Sequence, residues 1–320
     1  MKKLITKVVL AFGFCGSLFA QQDPQFTQFM HSKLIYNPGY AGTSDAICAN
    51  VLFRQQWVNF QGAPKTFLFS FDMPLLDLPI GIGLNIMSDE IGADKTFFGR
   101  LALAYNKQIG AGKLGAGIDI GILQKQINNA WITPEPGKTD PTIPGTYNTS
   151  SSNPQLNSLT YDLGFGLFYQ IPNKFYVGLS STHLPAQTLK GTSTGVKFDM
   201  ARHYYIVAGY SIPLNPMNMI TPNVKVKTDA ATTQLDINLT YMWNNTIWLG
   251  VTYRMQDAIA PMLGVKLLKD KSLKIGYSYD YTLSKINGYT SGTHEIMLGY
   301  CMNLKKAKPP TVSGNVRFME

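Results

Sequence analysis

The sequence predicts an all-β fold: a single transmembrane, antiparallel, up-and-down β-barrel of about 14 strands. Apolar residues alternate with polar or small ones in segments of about ten residues between positions 46 and 304. The connections between these segments alternate in length, and an export leader precedes them. Strands of soluble β-sandwiches usually have about five or six residues, so the longer segments favour strands that cross a bilayer at a tilt.

The segment at 272–281 shows the alternation clearly. Leu273 and Ile275 alternate there with Lys274 and Gly276, and the pattern continues to the end of the segment. Side chains at i and i+2 lie on one face of a strand, so each segment has an apolar face and a mixed face. In a membrane barrel the apolar face meets lipid and the mixed face lines the lumen.

Fourteen strands are predicted, and together they form one barrel domain at 46–304. Their ranges are 46–57, 66–72, 80–87, 96–108, 113–125, 158–170, 174–182, 202–212, 219–227, 233–243, 246–254, 258–268, 272–281 and 293–304. The segment at 66–72 is short. The segment at 219–227 contains Pro222, which removes a hydrogen-bond donor from the ladder.

The length of each connection depends on whether it follows an even-numbered or an odd-numbered strand. Tight turns follow even-numbered strands, at 110–112, 172–173, 244–245 and 269–271, with slightly longer links at 74–79 and 213–216. Longer polar loops follow odd-numbered strands, including 126–157, 184–201 and 283–292. Outer-membrane barrels have short periplasmic turns and long external loops, so this pattern predicts an orientation with both termini in the periplasm.

Residues 1–20 are predicted to be a signal peptide, with cleavage between Ala20 and Gln21. The segment has a basic start and an apolar run at 8–19 that is too short to span a membrane. The formal net charge of the full chain is +9, and three of its lysines lie in this leader. The remaining charges are scattered and of both signs, which does not indicate a nucleic-acid partner.

Ten charged residues share strand parity with small residues, and we predict that they face the lumen. An Arg or Lys that faced lipid near the midplane would cost ~2–4 kcal/mol. These residues are Arg54, Arg100, Asp119, Asp162, Asp236, Arg254, Lys266, Lys274, Asp280 and Glu295. Two arrangements are open: a lumen cross-linked by ion pairs, or the lining of a wet pore.

Residues 21–45 form a predicted periplasmic or lumenal segment. Asp23 and Pro24 resemble a helix N-cap followed by proline at the first helical position. Apolar residues then recur at helical spacing until Asn37 and Pro38, and Gly42 provides a turn into the first strand. We therefore predict a short amphipathic helix that packs against the periplasmic mouth or enters the lumen.

The tail at 305–320 is basic and contains proline. It is predicted to lie in the periplasm, either solvated or in contact with a periplasmic partner or lipid head groups.

Cys48 and Cys301 lie in the first and last predicted strands, with the same lumen-facing parity. If the sheet closes, these two strands pair and the cysteines become neighbours across the seam. A disulfide requires that their Cα atoms lie within ~7 Å of each other.

No residue pattern indicates catalysis. The four histidines, His31, His183, His203 and His294, are not at metal-site spacing, and no cysteine pair has zinc spacing. We expect no enzyme activity, no cofactor and no metal.

Several ordered motifs resemble one known family. The first is the segment at 22–30, Gln-Asp-Pro-Gln-Phe-Thr-Gln-Phe-Met, followed by Asn-Pro-Gly-Tyr-Ala-Gly at 37–42. Further matching motifs lie at 54–57, 62–66, 176–184, 250–254, 275–280 and 291–296. Together they resemble the PorP/SprF family of outer-membrane proteins associated with the type IX secretion system. The family's N-terminal signature corresponds here to Asp23, Pro24, Gln28, Asn37, Pro38 and Gly42.

The resemblance implies a non-enzymatic barrel that assists secretion, surface attachment or anchoring of cargo such as a gliding adhesin. Its implied partners are a cargo protein with a C-terminal secretion signal, periplasmic or outer-membrane components of the system, and outer-membrane lipid. The alternative is a diffusion porin or small-solute channel. Strand number does not decide, because fourteen lies between filled barrels of about eight strands and open ones of about 16–18.

Overall fold

The structure is a computed structural model, and it describes residues 23–75, 78–127, 156–190 and 197–304. The predicted leader with its cleavage site at Ala20 and Gln21, most of the loop at 126–157 and the tail at 305–320 lie outside the described residues.

Fourteen antiparallel strands close into a barrel, which confirms the predicted fold class. Each strand pairs with its neighbour along the chain, and the first strand pairs with the last to close the sheet. The barrel strands are β1 (Ala46–Gln55), β2 (Lys65–Pro74), β3 (Ile80–Ile91), β4 (Asp94–Ile109), β5 (Gly112–Ile127), β6 (Leu156–Ile171), β7 (Phe175–Thr182), β10 (His203–Tyr210), β12 (Asn218–Thr228), β13 (Thr233–Trp243), β14 (Ile247–Arg254), β15 (Ala258–Leu267), β16 (Leu273–Thr282) and β17 (Thr293–Asn303).

Three short strands supplement the barrel. β8 (Thr188–Lys190) and β9 (Lys197–Asp199) pair as a separate hairpin between β7 and β10. β11 (Ile212–Asn215) pairs with the first residues of β12. Pro222 lies where the neighbour of β12 changes from β11 to β10, a gap in the pairing on that side. The strand therefore tolerates a residue that donates no ladder hydrogen bond.

The connections distinguish the two ends of the barrel. We call the end that carries the predicted tight turns the turn end, and the opposite end the loop end. At the turn end Asn244 and Asn245 both have a φ of 48°, as a tight hairpin requires. The prediction of long loops at the other end is wrong in part. Only Gly92 and Ala93 connect β3 to β4, and residues 255–257 connect β14 to β15.

The two faces of the barrel wall differ as the alternation predicts. On β14, Leu249 and Val251 are exposed on the outer surface, whereas Trp248 and Thr252 are buried on the inner face. The outer face therefore offers an apolar surface, and the inner face holds the packed interior. No helix among the described residues is long and apolar enough to cross a membrane.

A disulfide joins the first and last strands. Cys48 and Cys301 are register partners in the pairing of β1 with β17, and their Cα atoms are 4.1 Å apart. The bond thus ties the closing seam near the turn end.

The disulfide predicts that the purified, signal-cleaved barrel has no free thiol before reduction. Denatured protein treated with a maleimide is expected to gain no label, and to gain two labels after reduction. A Cys48→Ser variant should gain one label without reduction, at Cys301. Two labels on the unreduced wild-type protein would contradict the bond.

Candidate functional site

Residues 23–45 run through the lumen from one end of the barrel to the other, and we call this segment the plug. At the loop end, Asp23 lies beside His203, the first residue of β10. At the turn end, Asp45 forms an ion pair with Lys113, at 2.5 Å. The segment was predicted to lie either at the periplasmic mouth or in the lumen, and in the structure it lies in the lumen. The first described residue lies at the loop end, opposite to the predicted periplasmic position.

The prediction of one amphipathic helix starting at Asp23 is wrong. The plug contains a 3-10 helix at Phe29–His31, a four-residue α-helix at Lys33–Tyr36 and a 3-10 helix at Pro38–Tyr40. Asp23 caps none of them, because its carboxylate contacts histidines of the wall instead. Backbone groups of the plug bond to wall side chains, which replaces the hydrogen bonds of a continuous helix.

An apolar stripe of the wall receives the apolar side of the plug. Phe26 and Phe29, each 1% exposed, belong to one hydrophobic cluster with inward-facing residues of five consecutive strands. These wall residues are Leu52, Leu68, Met87, Phe98 and Leu123. Burial of a large apolar side chain contributes roughly 1.5–3 kcal/mol, so the cluster holds the plug firmly.

The opposite side of the plug bonds to charged wall residues. The backbone N–H groups of Thr27 and Gln28 each donate to the Glu295 carboxylate, at 2.8 Å. The Thr27 hydroxyl donates to Asp280 and accepts a hydrogen bond from Arg54. All of these residues are buried, so each contact takes the place of a hydrogen bond that the polar group would otherwise make with water.

An ion-pair network surrounds this contact. Arg54 lies 2.8 Å from Asp280 and 3.0 Å from Glu295. Arg254 lies 3.2 Å from Asp280 and 3.3 Å from Asp236. Lys225, which is not among the ten predicted lumen charges, extends the network by a 2.8 Å pair with Asp236. The structure therefore brings together five of the ten predicted lumen charges in a cross-linked cluster.

The other five predicted lumen charges fall into two places. Arg100 pairs with Asp162 at 2.8 Å, and Asp119 lies close enough to interact electrostatically with both residues. Lys266 and Lys274 are partly exposed near the turn end, outside both ion-pair clusters. All ten residues face inward, eight of them fully buried.

The signature residues of the plug contact the wall. The Asn37 side chain donates to the carbonyls of Leu167 and Leu179, and it accepts from the N–H of Gly39. Pro38, the first residue of the second 3-10 helix, packs against β5 at Gly117, which has no side chain. A Cβ at Gly117 would lie 2.5 Å from the carbonyl carbon of Pro38. Both capping and wall binding therefore depend on these positions.

Gly42 combines two requirements for glycine. Its φ is +67°, and a Cβ there would lie 2.6 Å from the Cα of Gly81 on β3. An L-residue would be strained by the φ and would also clash with the wall. Gln28 is completely buried, and Pro24 lines a cavity at the loop end.

Two basic side chains of the plug, both half-buried, lie against aromatic rings. The Lys33 ammonium lies 3.9 Å from the centre of the Tyr176 ring. The His31 ring lies 5.2 Å from the Trp248 ring, measured between ring centres.

At the loop end, Asp23 meets two histidines from different parts of the wall. Its carboxylate is 3.0 Å from Nε2 of His183 and 4.0 Å from Nδ1 of His203. The two imidazole rings are 5.7 Å apart. A cavity of about 240 Å³ adjoins the group and is lined by all three residues and by Lys125, Phe198 and Met200.

Spacing along the chain could not reveal this cluster, because Asp23 is 160 residues from His183 and 180 residues from His203. The apolar stripe of the lumen could not be predicted from the sequence for a related reason. Its residues come one from each strand, so no single segment shows the stripe.

Comparison with solved structures finds other barrels. The CymD monoaromatic hydrocarbon channel has 12% identity, with 86% of this chain and 93% of that chain covered and a TM-score of 0.49. Outer membrane protein Omp33 of Acinetobacter baumannii has 8% identity, 81% and 99% coverage, and a TM-score of 0.44. No curated protein matches the chain significantly.

A family model described as "Type IX secretion system membrane protein PorP/SprF" matches residues 18–300. The match includes the plug and all the barrel strands except the last three residues of β17. The chain therefore belongs to the PorP/SprF family of type IX secretion system membrane proteins.

Proposed function

We propose that this outer-membrane component of the type IX secretion system is a non-enzymatic partner of secreted cargo. In this role it assists the secretion, surface attachment or anchoring of a protein with a C-terminal secretion signal, such as a gliding adhesin. The proposal covers one class of cargo, which the barrel receives at the cell surface.

The filled lumen is the observation that carries the proposal. In an open pore, inward-facing side chains would be wet, whereas here Arg54, Arg100 and Trp248 are at most 2% exposed. The plug and ion pairs of the described residues occupy the space that a diffusion porin needs for its solute. A barrel with a filled lumen still offers its two ends to partner proteins, and the proposed role assigns a partner to each end.

The loop end is the proposed cargo side. Short turns face the periplasm in outer-membrane barrels, which assigns the loop end to the outside. There the hairpin of β8 and β9 covers part of the mouth, with Leu189 buried in the same cluster as Phe26 of the plug. A cargo protein that docks on this hairpin would be in mechanical contact with the plug.

The turn end is the proposed side for periplasmic components of the secretion system. The predicted cleavage of the leader after Ala20 would release the mature chain for assembly into the outer membrane. The exposed apolar residues of the outer face would then contact lipid.

Deletion of the gene in its own bacterium tests the proposal. We expect one class of cargo to disappear from the cell surface, while unrelated type IX cargo remains. Quantitative surface proteomics measures both groups in one experiment. Complementation with the wild-type gene should restore display.

The porin alternative makes opposite predictions. Intact cargo display after deletion, together with slower uptake of small solutes, would contradict the proposed role and favour a channel. Cross-linking of tagged barrel in native membranes gives a second measurement, in which we expect cargo and periplasmic components to be captured.

A further inference from the structure

We propose that Asp23, His183 and His203 form a binding site for a divalent transition-metal ion, and that this ion fastens the start of the plug to the barrel wall. The three residues come from the plug, from the end of β7 and from the start of β10. This site is independent of the role in cargo handling, and it assigns a specific chemistry to one end of the plug.

The spacing of the ligand atoms fits one ion. One nitrogen or oxygen from each residue lies within 4.8 Å of the others. Asp23 is 3.0 Å from His183 and 4.0 Å from His203. Two atoms bound to one zinc ion at about 2.0–2.2 Å lie about 3–3.5 Å apart, so only small side-chain shifts are needed.

Asp162 stands behind His183 in the position of an outer-shell carboxylate. Its Oδ2 is 3.1 Å from Nδ1 of His183, while Nε2 of the same ring points to Asp23. The ring needs a small rotation to align this contact as a hydrogen bond, since Nδ1 has no aligned partner among the described residues. Metal-bound histidines usually donate their second N–H to such a carboxylate.

His203 supplies an unused ligand atom. The residue is 3% exposed, and its Nδ1 has no hydrogen-bond partner within the described part of the chain. Its Nε2 accepts a long hydrogen bond of 3.4 Å from the backbone N–H of Asp23, which metal binding at Nδ1 would break because Nε2 would then carry the ring proton. A buried polar atom without a partner is costly, and coordination of a metal would remove that cost. The adjoining cavity of about 240 Å³ has room for water at the remaining coordination positions.

The basic residues around the site do not prevent a metal ion from binding. Nη2 of Arg100 lies 3.1 Å from Nε2 of His183, while Nε of the same guanidinium pairs with Asp162. A metal ion on Nε2 would replace the Nη2 contact and leave the ion pair with Asp162 in place. Lys227 donates to the backbone carbonyl of Asp23, at 2.8 Å, and the Tyr205 hydroxyl donates to the carboxylate Oδ2, at 2.7 Å. The other carboxylate oxygen, Oδ1, faces His183 and is the one open to a metal ion. Two imidazoles and one carboxylate favour zinc and similar transition ions over magnesium and calcium, which prefer oxygen ligands.

Without a metal, a protonated His183 would bridge Asp23 and Asp162 as an ion pair. The two arrangements differ in a measurable way, because only the first binds a metal through both histidines.

The test uses the full-length mature barrel, purified without chelating tags and stripped with chelator. Isothermal titration with Zn²⁺ is expected to show one equivalent bound, and added Co²⁺ should give visible ligand-field absorption. His203→Gln and Asp23→Asn should weaken Zn²⁺ binding by more than the roughly 10–100-fold expected for Asp162→Asn. His294→Gln is the matched control, because this histidine bonds to Tyr277 outside the site, and it should bind like wild type.

Zn²⁺ should also raise the thermal unfolding temperature of the wild-type barrel and leave that of His203→Gln unchanged. A wild-type barrel that binds no Zn²⁺ and gives no Co²⁺ absorption would overturn the proposal, and this result needs no variant to fold. Binding that survives both His203→Gln and His183→Gln would equally overturn it. Neither outcome bears on the cargo-display experiment.

Discussion

A barrel without residues 23–43 is expected to conduct ions roughly tenfold or more above the intact protein, because the deleted segment fills the lumen of the fourteen-stranded wall. In the intact protein the plug occupies this space, with Phe26, Phe29 and Gln28 each at most 1% exposed. Removal of the segment leaves the strand pairings and the seam disulfide in place. Single-channel recording in planar bilayers measures the difference.

A full-length variant gives an independent measurement of the same effect. Gly117→Leu would place its Cβ 2.5 Å from the Pro38 carbonyl and displace the plug locally. We expect a smaller rise in conductance than for the truncated chain. Lys95→Ala, an exposed change, serves as the control and should conduct like wild type. Equal conductance of intact and truncated barrels would show that the plug does not close the lumen.

Replacement of Arg54 by Met is expected to lower the free energy of unfolding by about 3–5 kcal/mol, the usual cost of removing one partner from a buried ion pair. Arg54 is 2% exposed and contacts Asp280, Glu295 and the Thr27 hydroxyl. Its loss leaves two buried carboxylates that share fewer positive charges, and it also removes one anchor of the plug. Urea unfolding of barrels folded in lipid vesicles, followed by tryptophan fluorescence, gives the measurement.

The matched control is Lys95→Met. Lys95 pairs with Glu90 at 3.3 Å, but both side chains are about half exposed, at 48% and 49%. Such a surface pair contributes ~0–1 kcal/mol, so the variant should unfold like wild type. Adding Glu295→Gln to Arg54→Met should recover part of the lost stability, because one uncompensated charge is removed. An unchanged unfolding curve for Arg54→Met would refute the assigned role of the network.

The order of the strands could be predicted from the sequence because each strand carries its own signal. In β16, Ile275 and Lys274 alternate on opposite faces whatever the rest of the chain does. The same parity indicates which charges face the lumen, since an Arg or Lys toward lipid costs ~2–4 kcal/mol near the midplane. Pairing of β1 with β17, and with it the contact of Cys48 and Cys301, follows from closure alone.

The course of residues 23–45 could not be predicted in this way. Phe26, Phe29 and Leu34 have helical spacing, but their partners lie on different strands, so spacing within the segment does not report the contacts that decide its conformation. The wall satisfies the backbone of Thr27 and Gln28, which makes a continuous helix unnecessary. Likewise Asp23 meets His183 and His203 only because the plug begins at the loop end, where β7 ends and β10 begins.

By itself, then, the sequence determined the barrel, the sidedness of its strands and the seam, because these depend on local periodicity and on closure. Only the tertiary structure decided that the lumen is filled, which charges pair, and that the plug begins at the loop end between two histidines. These features depend on contacts between residues up to 268 positions apart, for which no local pattern exists.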